Sequence, residues 1–220
     1  KMADTAIITM DNNRYQVPYG DTGLWSCYRA DAIPMGIYAN LTGDPAANWF
    51  VLEKMILWGA DTRRFGGSDF VIFERRAVQQ FPVPENYNGI QVLKLEPRYY
   101  ATVPPAGGKP EAAETFDKLS FREKIDPEAF YFLTDGVNNG GHGHADAMSV
   151  QRLNHLGRQW LADNHYLKGA TRFHNALTVI TDGEYLPYGP YAKLAGYGEN
   201  DRLGVASMRL SGAEVAVIAL

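Results

Sequence analysis

The chain changes texture near Gly89, and that change constrains the fold more than any single residue. Before it, apolar residues recur at helical spacing. After it, short β-prone runs alternate with turn signals. Asp44 followed by Pro45 is a helix start, with an N-cap side chain and a proline that needs no donor in the first turn. Trp49, Leu52, Met55 and Ile56 then mark one apolar face, and Gly59 ends the run. Leu24 to about Leu41 predicts a helix or a pair of short helices, interrupted at Pro34. Ala6–Met10 predicts a short strand, followed by a turn at Asp11-Asn12-Asn13.

Beyond Gly89, strands are expected at Ile90–Leu95, Tyr99–Val103, Ala129–Thr134, Ala147–Leu156, Gln159–Ala162, Ala176–Thr181, Val205–Leu210 and Glu214–Leu220. Leu156-Gly157-Arg158-Gln159 predicts a hairpin turn, and Asp182-Gly183 and Ser211-Gly212 are further turn signals. Residues 104–128 predict a long loop with a helical turn at Ala112–Leu119. Helices followed by strands make an α+β chain: a helical segment over 1–84, then an antiparallel β-sheet or sandwich domain over 85–220. The helical segment has too few helices to close a bundle, so the chain is expected to be a fragment of a longer one.

Composition narrows the function. The net charge of −4 gives no basic signal, which argues against general nucleic-acid binding. No apolar run is long enough to insert in a membrane as a helix. Cys27 is the sole cysteine, so no intrachain disulfide can form. The 12% aromatic content serves packing or sugar stacking equally well.

All five histidines lie between His142 and His174. His142, His144 and Asp146 alternate, so an extended backbone turns them to one side, and Gly141 and Gly143 allow close approach. Asp163 ends the next expected strand, and His174 begins the one after. Antiparallel neighbours can therefore gather His144, Asp163 and His174. Two imidazoles and a carboxylate suit Zn²⁺ or a similar divalent ion. Asp146 reads equally as ligand, histidine orienter or turn cap. His155 and His165 read as ordinary polar residues. Arg29, Arg152, Arg172 and Lys168 read as solvated charges.

Gly140-Gly141-His142-Gly143-His144-Ala145-Asp146, Leu156-Gly157-Arg158-Gln159-Trp160-Leu161-Ala162-Asp163 and Phe173-His174-Asn175-Ala176-Leu177-Thr178-Val179 together resemble the C-terminal β-domain of heparinase II/III-like polysaccharide lyases, a family that includes oligo-alginate lyases. Pro18-Tyr19-Gly20-Asp21 and the helices after it resemble, more loosely, the end of that family's α/α toroid. The resemblance implies β-elimination on uronic-acid glycans such as heparin, heparan sulfate or alginate. It implies His142 as the catalytic acid/base. It implies His144, Asp163 and His174 as ligands of a structural metal, usually zinc. The catalytic tyrosine and the Asn or His that neutralises the substrate carboxylate would come from the upstream toroid portion of the same protein. Tyr15, Tyr19 and Tyr28 match no such motif. The implied partner is an anionic polysaccharide or oligosaccharide, and the implied location is periplasmic or secreted. Two other readings stand beside this one. One is a non-catalytic carbohydrate-binding or structural β-domain that retains a metal site. The other is a metal-dependent hydrolase.

Overall fold

The computed structural model describes residues 2–17, 32–57, 81–95, 114–137, 144, 146–163, 169–178, 180–185, 191–201, 203–210 and 213–219. The helices are α1 (Met2–Ile8), α2 (Ala32–Thr42) and α3 (Pro45–Leu57). α1 corrects the strand expected at Ala6–Met10. Its β-prone residues Ile7 and Ile8 are buried in the helical core, and tertiary burial overrides their local preference. Of the helical run expected from Leu24 to about Leu41, residues 24–31 lie outside the described residues, and Pro34 stands near the start of α2. It is the third residue of the helix, where its missing N–H has no intrahelical acceptor to lose. Gly43 closes α2 at φ 71°, donating its N–H to the Ala39 carbonyl at 2.9 Å. Asp44 caps α3 as the sequence predicts: its Oδ1 accepts the N–H groups of Ala46 (2.9 Å) and Ala47 (3.3 Å). Met35, Ala39, Phe50 and Val51 pack against Ala3, Ala6 and Ile7, and Tyr87 and Ile125 join the same core.

The strands are β1 (Gly89–Lys94), β2 (Phe116–Arg122), β3 (Tyr131–Asp135), β4 (Val150–His155), β5 (Arg158–Ala162), β6 (Ile180–Thr181), β7 (Glu184–Tyr185), β8 (Lys193–Glu199), β9 (Gly204–Leu210) and β10 (Ala213–Ala219). β1 to β5 form one antiparallel sheet in sequence order. β10-β9-β8 form a second, and β6-β7 a small hairpin. The chain is therefore α+β, with its described helices ahead of its described strands. The β4–β5 hairpin turns at Leu156 and Gly157, both left-handed at φ 54° and 68°, which matches the right-handed twist of the flanking strands.

β2 replaces the end of the helical turn expected at Ala112–Leu119 and interrupts the long loop expected over 104–128, of which residues 104–113 lie outside the described residues. Its alternation is hard to read because both faces are covered. Leu119 and Phe121 point with Phe132 and Leu153 into a core shared with Ala206 and Met208 of β9. Lys118, Ser120 and Arg122 point the other way and are also buried. β8, rich in glycine, escapes the sequence reading altogether. The strand expected over Ala176–Thr181 contracts to Ile180–Thr181. The expected strand at Tyr99–Val103 lies outside the described residues.

The polar face of the larger sheet is roofed by residues 7–17. Arg122 donates from Nη2 to the carbonyls of Ile7 (3.1 Å) and Met10. Its guanidinium lies 4.7 Å from the Tyr131 ring centroid. The Tyr131 hydroxyl donates to the Ile8 carbonyl at 2.7 Å, and Asn12 Nδ2 donates to the Ala129 carbonyl at 2.9 Å. Arg152 is 1% exposed, with Nε 3.5 Å from Asp11 Oδ2, which overturns its reading as a solvated charge. Burial pushes the Asp11 carboxyl up, and the Arg152 charge pulls it back. This roof fixes one face of the strands that carry the site.

Candidate metal centre

The site forms where β3 ends and β4 begins. His144 and Asp146 arrive on the connection between those strands. The Asp146 carbonyl accepts the Ser149 N–H at 2.8 Å, making a tight turn into β4. Met148, inside that turn, is left-handed at φ 64°, an uncommon conformation for a non-glycine residue. The register of β3 against β4 then slips: Leu133 faces Arg152 while Thr134 faces Val150. Gln151 is the extra residue of this bulge. It is 1% exposed and donates from Nε2 to Asp146 Oδ2 at 3.4 Å and to Ser149 Oγ. Bulges of this kind re-aim side chains beside functional sites.

Asp163 follows β5 directly, its N–H bonded to the Gln151 carbonyl at 3.0 Å. His174 does not begin a strand. It caps a 3₁₀ turn, Thr171–Phe173, and donates its N–H to the Thr171 carbonyl at 3.0 Å. Asn175 ties this turn to the sheet in both directions. Val150 N–H donates to its carbonyl (2.9 Å), and its own Nδ2 donates to the Val150 carbonyl (3.1 Å). The polar text Thr-Arg-Phe-His-Asn therefore folds as a corner pinned to β4.

These pieces bring His144, Asp146 and His174 together. One ligand atom from each lies within 4.8 Å of the others, and all three residues are buried. The imidazole centroids of His144 and His174 are 5.1 Å apart. Asp163 stands behind this group: its Oδ1 is 2.8 Å from His174 Nδ1, and its Oδ2 accepts the Asn175 N–H at 3.2 Å. A carboxylate on Nδ1 orients the ring and leaves Nε2 for an ion, the usual arrangement behind a metal-bound histidine. Two imidazoles and a carboxylate can hold a divalent cation.

The electrostatics suit a cation. Asp146 is pushed up to about 7, first by burial and then by the negative charge of Asp135. His174 and Lys118 pull it back, while Asp163 adds to the rise. Asp135 is itself pushed up by burial and held down chiefly by Lys118. A cation among these carboxylates would offset both the burial and the neighbouring negative charge that raise the Asp146 pKa.

Of the residues singled out in the sequence, His144 and His174 meet, and Asp163 adjoins them through His174. Asp146, left open by the sequence, stands in the ligand group. His142 and His165 lie outside the described residues. His155 packs edge-on against Phe130 with centroids 6.2 Å apart, an ordinary packing role. Gln151 carried no signal in the sequence, since a bulge depends on pairing register and not on local composition. No protein-family model, no curated protein and no solved structure matches this chain.

Proposed function

We propose that this chain is the β-domain portion, with the end of the toroid, of a polysaccharide lyase that cleaves uronic-acid glycans by β-elimination. One observation supports this above the others. The buried group His144, Asp146 and His174, with Asp163 behind it, takes His144 and Asp146 from the glycine-rich stretch that carries the lyase-like motif. Cleavage removes the proton at C5, next to the uronate carboxylate, and protonates the oxygen leaving C4. The C5 proton is acidic enough only once the carboxylate charge is neutralised and the enolate-like charge is stabilised. His142 is the proposed acid/base. It lies two residues before His144, so an ion at His144 and His174 would anchor its loop.

The donor set fits Zn²⁺, which would act as a structural ion and supply rigidity. In this reading the tyrosine and the carboxylate-neutralising side chain come from toroid helices, and the protein acts in the periplasm or outside the cell. The test is the ultraviolet absorbance of unsaturated uronate released by the full-length protein from heparin, heparan sulfate or alginate. His142→Ala should abolish that signal. An unchanged rate would overturn the assignment of His142. Absence of product from every uronate polymer, with zinc bound, would favour the non-catalytic β-domain instead.

A further inference from the structure

A buried ion pair lies next to the ligand group. Lys118 on β2 and Asp135 on β3 are direct cross-strand partners, with Nζ 3.1 Å from Oδ1 and both side chains 5% exposed or less. Lys118 also reaches Asp117 Oδ1 at 2.6 Å. Burying such a pair carries a desolvation cost that apolar residues would avoid, so its place in the fold calls for a reason.

The reason lies in what Asp135 holds. Its Oδ1 accepts the Val137 N–H at 2.9 Å, where the chain leaves the sheet. Its carbonyl accepts the Met148 N–H at 2.7 Å, and its N–H donates to the Ser149 carbonyl at 3.3 Å, where the chain returns. One residue thus closes both ends of the stretch that delivers His144 and Asp146.

We propose that Lys118 is a positioning residue for the metal centre: its ammonium, bonded to Asp135 Oδ1, holds that side chain in place, and Asp135 holds both ends of the ligand loop. This rests on the metal-centre reading above. Removing the ammonium leaves Asp135 a buried, unpaired carboxylate that must protonate or turn away, which frees the loop end at Val137.

The experiment titrates the whole chain with Zn²⁺ alone, following affinity by calorimetry and folding by circular dichroism. Lys118→Met should weaken binding by roughly 10–100-fold, the range for lost outer-shell partners. Lys118→Arg, which keeps the charge and the reach to Asp135, should stay within a few-fold of the parent. The double variant Lys118→Met/Asp135→Leu separates positioning from mere stability. Replacing a buried pair by apolar side chains restores or raises stability, yet positioning requires its Zn²⁺ affinity to stay as low as that of the single variant. Parent-like affinity in the stable double variant, or in Lys118→Met, would overturn the proposal and leave the metal centre standing. A parent chain that binds no Zn²⁺ would overturn the metal centre itself, and this role with it.

Discussion

Asp163 and His174 are 11 residues apart in sequence and meet through a 2.8 Å bond between carboxylate and imidazole, both side chains almost wholly buried. The bond joins the end of β5 to the 3₁₀ corner, and it sets which nitrogen of His174 faces His144. Asp163→Asn keeps the shape but loses the charge-assisted bond. Zn²⁺ affinity should fall roughly 10–100-fold, while the far-ultraviolet circular dichroism stays that of the parent. Unchanged affinity would place Asp163 outside the metal's support.

The pH dependence follows from Asp146. Its folded pKa, about 7, lies above the ordinary carboxylate value. A raised carboxyl pKa gives a stability contribution that is full below the unfolded value near 4 and is lost as pH rises through 7. The metal-free chain should therefore lose melting temperature between about pH 4 and pH 7 from this group. Metal binding requires the carboxylate, so affinity should rise over the same interval, with proton uptake by the buffer during titration. A flat affinity profile across that window would remove Asp146 from the ligand set.

The roof over the sheet gives a prediction independent of any metal. Tyr131→Phe deletes the hydroxyl that serves the buried Ile8 carbonyl. The unsatisfied carbonyl should cost about 1–3 kcal/mol in denaturant unfolding. Zn²⁺ affinity should hold, because Tyr131 lies two residues along β3 from Leu133 and four from Asp135, away from the ligands.

Gly136 offers a steric test. A Cβ there would collide with the Phe116 carbonyl oxygen and ring. Its N–H and carbonyl are both engaged, with Asp117 and Ala192, each at 2.8 Å, so the backbone has little room to yield. Gly136→Ala should destabilise the fold by about 1–3 kcal/mol. It should also weaken Zn²⁺ binding, since the ligand loop starts at this residue.

The α+β order, the Asp44 cap and the β4–β5 hairpin were legible because each rests on local chemistry: a cap side chain, a proline, a two-residue left-handed turn. α1 and β2 were not. The β-prone Ile7 and Ile8 fold as helix because helical packing buries them, and β2 hides its alternation by burying Lys118 and Arg122 as well as Leu119 and Phe121. At the site, expected strand neighbours and the family resemblance named His144, Asp163 and His174 as ligands; His144 and His174 do meet, while Asp163 bonds His174 from behind and Asp146 stands in the ligand group. The involvement of Asp146 depends on the turn through Met148. That of Gln151 and Lys118 depends on strand register, which no short window of sequence contains.

The roof formed by residues 7–17 has a consequence for dissecting the protein. Strands β2, β3 and β4 bear the metal-site supports at one end and the guanidinium groups of Arg122 and Arg152 further along the same face. Cut free of the amino-terminal residues, those strands would present two arginines and a tyrosine to water where main-chain carbonyls and Asp11 now meet them. Residues 7–17 therefore act as a folding partner of the strands that flank the histidine-bearing loop.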